Sequence, residues 1–203
     1  MLREIVSDYI EKGNTLITTK ADGGATVFTL FIANVLLRKD KVVVYYNPTA
    51  EICAHFVKKY YPRVYKSVMF VNSPLQDFIK FIEHMGSSMD YLIMDPADVT
   101  MLNRKIIPTI SDVLKSKGTK LICTSQIRVD PSKGGQVYST IEELNKKYSG
   151  SIFQNSIWIR DVTEENSIYA SRYVDIFDKY RVGNRYKCRC LAKFSKTSGT
   201  VME

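Results

Sequence analysis

Short β-branched runs alternate with amphipathic stretches through the first 125 residues of the chain. The apolar runs predict five strands, at 15–19, 41–46, 67–71, 91–95 and 120–125. The stretches between them predict helices at 26–38, 49–61, 75–85 and 104–117. Strands that are nearly all apolar and are separated by helices indicate a parallel sheet covered on both faces. This part of the chain therefore predicts an α/β fold.

Helix-start and helix-stop residues fall at the borders of these segments. Asn47 and Pro48 predict the start of the second helix, with the asparagine as its N-cap. Ser73 and Pro74 repeat this pattern before the third helix. Gly118 stands where the fourth helix has to end and the next strand begins.

The pattern changes after residue 126. Residues 126–150 are polar and contain glycines, and long segments of this kind are usually functional or mobile. Three strand-like stretches follow, at 151–162, 167–180 and 185–194. Turn-forming TEEN and RVGN separate them, so they predict an antiparallel meander at the edge of the sheet.

Composition is that of one globular domain. The chain has 203 residues, of which 45% are hydrophobic and 25% charged. A chain of this length buries a full core without disulfides or metals. We expect a single domain over residues 1–195 and a loose C-terminal tail over residues 196–203.

The cysteines give no metal-site pattern. Cys53 and Cys123 lie in apolar segments and are expected in the core. Cys188 and Cys190 lack a second pair at zinc-ligand spacing, so no metal ligand is assigned among them. The longest apolar stretch, 25–37, is too short to span a bilayer. We expect a cytoplasmic protein in a reducing environment, without a membrane partner.

A glycine pair lies between the first predicted strand and the first predicted helix. A P-loop reads G-x-x-x-x-G-K-[ST]; its backbone N–H groups wrap phosphates, its lysine neutralises them and its hydroxyl binds magnesium. With the second glycine of this motif placed on Gly24, the hydroxyl falls on Thr26. Gly23 completes the pair. The position between a strand and a helix fits a phosphate-binding loop.

Ala25 stands where the P-loop lysine belongs, and Thr19 replaces the first glycine. Loss of the lysine removes the charge that offsets the outer phosphates, and stabilisers of this type are worth about 3–4 kcal/mol. Lys20, the second residue of the loop, is a candidate substitute. Three interpretations stay open: a dead site, nucleotide binding without efficient hydrolysis, and a competent deviant ATPase.

The later motifs follow in an order that resembles the RecA/RadA family of recombination ATPases. YLIMD at 91–95 resembles the Walker B strand, and LICTSQIRVDP at 121–131 resembles the strand before the second DNA-binding loop. GG at 134–135 resembles the glycines of that loop, and SIWIRDV at 156–162 resembles the strand that re-enters the sheet. The likeness covers about residues 12–194.

The resemblance implies a RecA-like P-loop NTPase fold, with a central, mostly parallel sheet flanked by helices and an antiparallel C-terminal extension. It implies ATP and magnesium as candidate cofactors, with Thr26 and Asp95 near the metal. Gln126 takes the place of the family's polar sensor, and Arg128 is the basic residue after it. The nucleotide-binding residues, vestigial or active, are Lys20, Gly23, Gly24, Thr26, Asp95 and Gln126.

A second departure from the family lies at the end of the second strand. The family carries an acidic residue there, whereas this chain reads Tyr46, Asn47 and Pro48. Glu51 comes one helical turn too late. Phosphoryl transfer needs several charged parts together, so losing the lysine and the acid favours a degenerate paralogue over a recombinase.

Positive charge is concentrated near the C-terminus. The net charge is +8 with a pI near 9.2, which suits either an anionic partner or solubility alone. Alternation along RYKCRCLAKF at 185–194 places its basic side chains on one face. Such a strand either contacts nucleic-acid phosphates or blocks aggregation at a sheet edge. The candidate nucleic-acid residues are Arg128, Lys133, Arg185, Lys187, Arg189 and Lys193.

These features support one leading hypothesis and two alternatives. The first is a non-catalytic or weakly catalytic RecA-like protein that binds single- or double-stranded DNA without sequence preference. It would act as an accessory factor in recombination or repair, with a RadA-like recombinase or a second copy of itself as a further partner. The alternatives are a deviant ATPase that uses Lys20, and a protein-interaction module with a basic docking surface.

Overall fold

The apolar runs of the sequence form the strands of one extended sheet in the computed structural model of the chain. The structure describes residues 1–20, 23–49, 52–85, 88–97, 106–130, 136–138, 151–161, 169–177, 186–195 and 200–202. Its strands are β1 (Thr15–Thr19), β2 (Val43–Tyr46), β3 (Met69–Val71), β4 (Tyr91–Met94), β5 (Lys120–Gln126), β6 (Arg128–Asp130), β7 (Gln136–Tyr138), β8 (Asn155–Asp161), β9 (Tyr169–Phe177), β10 (Tyr186–Ser195) and β11 (Val201–Met202). Its helices are α1 (Leu2–Ile10), α2 (Ala25–Leu37), α3 (Ala54–Tyr60), α4 (Pro62–Ser67), α5 (Leu75–His84) and α6 (Ile106–Ser116).

Nine of the described strands pair in the order β11-β10-β9-β8-β1-β5-β4-β2-β3. From β8 to β3 the neighbours run parallel. From β8 to β11 they run antiparallel. β6 and β7 form a separate hairpin inside the long polar segment. The expected fold class, a mostly parallel sheet with an antiparallel C-terminal extension, is confirmed.

Two hydrophobic cores lie on opposite faces of the sheet, because successive strand residues point to opposite sides. One core joins the sheet to α1, α2, α3 and α4 and contains Val6, Phe28 and Val57. The other joins it to α5 and α6 and contains Phe78 and Ile110. Both faces of the parallel part are therefore covered, as its almost entirely apolar strands require.

The helix expected at 49–61 starts later and is followed by a second helix, α4. Asn47 is not the N-cap of α3, which begins at Ala54 with Cys53 at the N-cap position. The N–H of Asn47 instead donates to the carbonyl of Val71 at 2.9 Å and extends the β2–β3 pairing. Tyr61 ends α3 with φ −131° and ψ 57°, and Pro62 opens α4. Proline is well tolerated at a first helical position because the N–H that it lacks would have no helical partner.

Both ends of the described chain pack onto the sheet. The sequence pattern does not predict α1, whose Tyr9 hydroxyl donates to the carbonyl of Phe177 at 2.6 Å. The same hydroxyl accepts the N–H of Ser156 at 2.9 Å. β11 lies within 196–203, the segment expected as a loose tail, and pairs with β10.

Cysteine placement matches the expectation at one position and departs from it at another. Cys123 is buried in β5, as expected for a small core residue. Cys53 is exposed, because it precedes α3 at the N-cap position instead of lying inside an apolar segment of the helix.

The helix α2 begins at the glycine pair and is buried along most of its length. Its buried residues are Phe28, Thr29, Leu30, Phe31, Ile32, Ala33, Val35 and Leu36. Gly24 is its N-cap and has the left-handed conformation, with φ 79° and ψ 23°. No helix that the structure describes, α2 included, is long and apolar enough to cross a membrane.

Alanine substitutions at Gly24 and Gly118 test how tightly the turn before α2 is packed. Their φ values are 79° and 72°, so alanine at either position is strained by about 1–2 kcal/mol. A Cβ on Gly24 would also collide with the guanidinium of Arg172 and lie 3.0 Å from the Phe194 ring, whereas one on Gly118 meets nothing within 4 Å.

We therefore expect Gly24→Ala to lower the free energy of unfolding by about 1 kcal/mol or more beyond the loss in Gly118→Ala, because overpacking adds to the strain. Urea denaturation of both variants measures this difference. Equal losses would show that Arg172 and Phe194 do not press on the turn.

Candidate functional site

The turn between β1 and α2 keeps the backbone shape of a phosphate-binding loop. The N–H of Gly23 donates to the carbonyl of Lys20 at 3.0 Å and closes the turn. A Cβ on Gly23 would collide with Thr19 Oγ1, so this position needs glycine. The first helical hydrogen bond runs from the N–H of Phe28 to the carbonyl of Gly24 at 2.9 Å. The preceding N–H groups therefore face outward from the helix, in the arrangement that binds anions.

A cavity of about 280 Å³ opens over this helix N-terminus. Five residues of the predicted nucleotide set line it: Lys20, Gly24, Thr26, Asp95 and Gln126. The rest of the lining consists of Thr19, Ala25, Val27, Pro96, Thr124 and Ser125. The sixth predicted residue, Gly23, directly precedes Gly24 in the turn. The structure thus brings the predicted set together, while nucleotide binding stays a prediction.

Thr19 and Lys20 present different polar groups to this cavity. Thr19 is only 2% exposed, and its Oγ1 has no hydrogen-bond partner within the described part of the chain. A buried hydroxyl in this state is unfavourable, and a ligand that bonds to it would relieve the penalty. Lys20 is exposed and lines the cavity from its rim.

Asp95 directly follows β4 and is held by two hydroxyl groups. Tyr45 of β2 donates to its Oδ2 at 2.7 Å, and Thr124 of β5 donates to its Oδ1 at 2.6 Å. Asp95 is 2% exposed and Tyr45 is fully buried. The Tyr45 hydroxyl has one proton, which goes to Asp95, so Thr29 Oγ1 of α2 donates to the Tyr45 oxygen across 2.6 Å. A continuous hydrogen-bonded network therefore connects α2 to Asp95.

Tyr45 is a site residue that the sequence analysis missed. The apolar run 41–46 predicts its burial but not its partner. Burial, and next the negative charge of Asp95, raise the pKa of the Tyr45 hydroxyl well above its ordinary value. The hydroxyl therefore stays protonated and donates a hydrogen bond to the carboxylate. Two features of the sequence could have revealed this bond. A buried tyrosine hydroxyl needs a hydrogen-bond partner, and another predicted strand ends in an aspartate.

The bonding of Asp95 does not fit a magnesium ion ligated directly by the carboxylate. Magnesium requires octahedral oxygen ligands at about 2.0–2.1 Å and usually keeps several waters. Both oxygens of Asp95 already accept short hydrogen bonds, and the residue is only 2% exposed. Thr26, the other predicted metal ligand, lies on the first turn of α2. In the residues that the structure covers, no cluster of three or more His, Cys, Asp or Glu could hold a metal.

Asn47 stands where the resemblance requires an acidic residue after the second strand. It is 5% exposed, and its side-chain amide donates to the main-chain carbonyl of Asp95 at 2.6 Å. An amide cannot take a proton from an attacking water, so Asn47 instead supports the backbone beside Asp95. Glu51, the nearby acid, lies outside the described residues.

Arg172 of β9 is a second residue that the sequence analysis missed. It shares a strand face with Val174 and Ile176, which are both buried. Its guanidinium carbon lies 5.0 Å from the centroid of the Phe194 ring, and its Nη1 would collide with a Cβ on Gly24. A cation therefore lies against the turn of the phosphate loop. The sequence feature that could have revealed it is the alternation of Arg172 with Val174 and Ile176, which places an arginine on the apolar face of a strand.

The C-terminal strand β10 has the two-faced pattern that its sequence predicts. The exposed side chains are Arg189, Leu191 and Lys193. The buried ones are Cys190, Ala192 and Phe194. A register shift between Tyr186 and Cys188 interrupts the alternation near the start of the strand.

The other candidate nucleic-acid residues are less fully placed. Arg128 lies in β6 and Lys187 lies in β10. Lys133 and Arg185 lie outside the described residues. Nucleic-acid binding by all six residues stays a prediction.

Arg189 takes part in a buried ionic network. Its Nε donates to Oδ1 of Asp175 at 2.5 Å, and Arg160 of β8 donates from its Nε to Oδ2 at 2.7 Å. The Asp175 side chain is fully buried between them. The guanidinium carbon of Arg189 also lies 5.0 Å from the centroid of the Tyr173 ring. Two cations share one carboxylate, so the face stays positive while Arg189 also has a structural role.

Comparison with known proteins supports the fold. No protein-family model and no curated protein matches the chain. KaiC-like protein PH0186 from the hyperthermophilic archaeon Pyrococcus horikoshii OT3 matches with a TM-score of 0.63 and 17% identity, over 94% of this chain and 88% of that one. The RadB recombinase matches with a TM-score of 0.63 and 10% identity, over 93% of this chain and 89% of that one. This protein therefore has the fold of a RecA-like ATPase core.

Proposed function

We propose that the protein is a RecA-like accessory factor in DNA recombination or repair, with little or no ATPase activity, that binds DNA or a recombinase partner in the cytoplasm. The observation that supports the lack of activity is the bonding of Asp95. Both of its carboxylate oxygens accept hydrogen bonds from buried hydroxyls. Each oxygen already serves a hydroxyl donor, so the carboxylate is a weaker ligand for a metal at the phosphates.

Three parts of a hydrolytic site are therefore lost or altered together. Ala25 replaces the lysine, Asn47 replaces the acid and Asp95 is bound to Tyr45. Removing one electrostatic stabiliser of a transition state slows a reaction by roughly 10²–10³-fold. Phosphoryl transfer uses such parts as a unit, so their combined loss supports a role in binding instead of turnover.

The outer face of the antiparallel extension supports nucleic-acid binding. Lys193 is exposed and Leu191 is 55% exposed. Arg160 and Tyr173 are partly exposed on the neighbouring strands. Cations beside aromatic rings suit a phosphate backbone with unpaired bases, and the net charge of +8 has the same sign as this face. One neighbour with the same fold is named a recombinase.

One specific feature favours a second candidate function, a deviant ATPase. Lys20 is exposed on the rim of the cavity, so its ammonium group is available to phosphates. In this alternative, Lys20 takes over the role of the lost lysine.

Substitution of Tyr45 tests its structural role. Tyr45→Phe removes the hydrogen bond to Asp95 Oδ2 and leaves a buried carboxylate short of a donor, so we expect it to lower the free energy of unfolding by about 1–3 kcal/mol. The matched control is Tyr46→Phe, which removes a bond of 3.1 Å to the carbonyl of Ser73. Its loss should be smaller, because that bond is only partly buried. Equal effects in urea denaturation would contradict a special role for the Tyr45–Asp95 pair.

The same pair predicts a pH dependence. The pKa of Tyr45 is raised in the folded state, whereas a tyrosine in the unfolded chain has a pKa of about 10. The unfolded chain therefore loses its proton first. The stabilising contribution is complete below about pH 10 and declines above it. The decline should be smaller in Tyr45→Phe than in the natural sequence, and identical slopes between pH 9 and 11 would contradict this.

Hydrolysis separates the leading proposal from the deviant ATPase. We expect no ATP turnover above background with magnesium, with or without DNA, and no change in Lys20→Ala. Phosphate release measured with the purified protein tests this. Turnover that both Lys20→Ala and Asp95→Ala abolish would establish the alternative instead.

DNA binding is tested on β10. Lys187→Glu combined with Lys193→Glu should weaken binding of single-stranded DNA about tenfold or more and reduce the salt dependence, because each lost phosphate contact lowers the slope by about one. The matched control is Lys80→Glu, an exposed residue of α5. Fluorescence anisotropy at two salt concentrations measures both effects. Equal binding by the double variant and the control would refute the proposed interface. A protein partner that still co-purifies after nuclease treatment would favour the protein-interaction module.

A further inference from the structure

A second cavity, of about 320 Å³, lies at the end of the sheet opposite to β10. It opens between α3, α4 and β3, the last strand in the described sheet order. Its lining includes Asn47, Ile52, Ala54, Val57, Tyr65 and Phe70. None of the described residues assigned to nucleotide or nucleic-acid binding lines it. Its volume is within the range of pockets that bind ligands.

Most of the wall of this cavity is apolar. Val57 of α3 is buried in the core, whereas the rings of Tyr65 and Phe70 are exposed. Phe70 packs on Tyr45 of β2 with ring centroids 5.3 Å apart, so the sheet holds this part of the wall in place. Exposed aromatic side chains around a concave surface are typical of interaction sites. The wall therefore favours an aromatic or other large apolar group.

Asn47 adds a buried polar group to this wall. Its Nδ2 donates to the main-chain carbonyl of Asp95 at 2.6 Å, and because a carbonyl only accepts, this bond sets the orientation of the amide. Its Oδ1 is then left as a buried acceptor without a hydrogen-bond partner among the described residues. An acceptor in this state is unfavourable, and an N–H or O–H group of a ligand would relieve the penalty.

Positive charge surrounds the cavity. Residues 52–76 contain four basic residues and no acidic one. The four are Lys58, Lys59, Arg63 and Lys66, and all are exposed. The Nζ of Lys58 lies 6.0 Å from the centroid of the Tyr65 ring, which lines the cavity. At least one cation therefore lies beside the opening, where it favours an anionic ligand.

These three properties together restrict the ligand. Among large side chains with an apolar body, tryptophan and tyrosine combine an aromatic ring with an N–H or O–H donor. Both are frequent anchors at protein interfaces, where they fill pockets. Acidic residues next to such an anchor would meet the cations around the opening. A second copy of this chain is a poorer match, because it carries the same net charge of +8.

We propose that this cavity binds a tryptophan or tyrosine side chain from an acidic segment of a partner protein. The ring packs against Tyr65 and Phe70, its donor bonds to Oδ1 of Asn47, and the neighbouring acidic residues contact Lys58 and the cations near it. The inference rests on the partner binding of the proposed function and gives it a site. It needs neither the lack of hydrolysis nor DNA binding by β10.

Synthetic peptides test the ring, the donor and the charge separately. The probe is a tryptophan with two glutamates on either side, titrated into the full chain by isothermal titration calorimetry. Replacing the tryptophan by 1-methyltryptophan removes only the indole N–H, and we expect binding about tenfold weaker. Leucine in its place, or lysines in place of the glutamates, should weaken binding at least as much. Varying the peptide leaves intact the bond between Asn47 and Asp95, which a substitution of Asn47 would break.

Variants of the chain test the location. Ala54 is exposed and lines the cavity, so Ala54→Phe should obstruct it and weaken binding of the tryptophan peptide about tenfold or more. The matched control is His55→Phe at the next position, which is exposed and lies outside the described lining. Lys58→Glu should also weaken binding, whereas Lys115→Glu, an exposed residue of α6, should not. Circular dichroism checks that each variant is folded.

Three results would overturn the inference: no binding of the tryptophan peptide, equal affinities for the tryptophan and 1-methyltryptophan peptides, or equal effects of Ala54→Phe and His55→Phe. Displacement of the peptide by single-stranded DNA would also overturn it, because the cavity would then accept a nucleobase. The double variant Lys187→Glu and Lys193→Glu keeps the proposals apart, since it should lose DNA binding and retain peptide binding. Failure of peptide binding with DNA binding intact would contradict this inference alone, and the reverse would contradict the proposed DNA interface alone.

Discussion

The hydrogen bonds of Asp95 organise the carboxyl edge of the sheet. Through them a residue at the end of β4 is tied to Tyr45 of β2 and Thr124 of β5. Thr29 extends the connection to α2, the helix that follows the loop after β1. A buried carboxylate is tolerated only when it is well hydrogen-bonded. The cavity over the phosphate loop is therefore built on a network whose members cannot be changed one at a time without loss of stability.

The same network limits the chemistry of the site. In a hydrolytic site the carboxylate has to interact with a hydrated metal, whereas here its oxygens are given to neutral hydroxyls. Active-site groups often reduce stability for the sake of function, and under the proposed lack of hydrolysis these residues contribute to stability instead. Tyr45 and Asn47 both support Asp95, one at its side chain and the other at its main chain. Both contacts hold Asp95 in its hydrogen-bonded position.

The antiparallel extension has two separate electrostatic roles. On its outer face, the buried Asp175 binds Arg160 and Arg189 and fixes their positions. On its inner face, Arg172 packs on Phe194 beside the phosphate loop. Cross-strand pairing sets both contacts, because a shift of one residue would exchange the two faces. The extension thus links the basic surface to the turn at Gly24 through a single sheet.

The sequence predicts the main elements because their patterns are local. The apolar runs of β1, β4 and β5 and the stop at Gly118 depend on neighbouring residues, and the structure confirms them.

The site partners depend on tertiary contacts that no local pattern contains. Burial of Tyr45 follows from its strand, but its bond to Asp95 depends on which strands become neighbours. The position of Arg172 beside Gly24 depends on the order of strands across the whole sheet. Asn47 was expected to cap a helix because its local sequence is typical of one, but pairing of β2 with β3 prevails.

The most direct test of the account is a crystal structure with a non-hydrolysable ATP analogue and manganese, using anomalous scattering to locate the metal. We predict that the 2.7 Å bond between Tyr45 and Asp95 persists and that no anomalous peak lies near Asp95. A manganese ion bound between Thr26 and Asp95, with the Tyr45 hydroxyl displaced, would contradict the account.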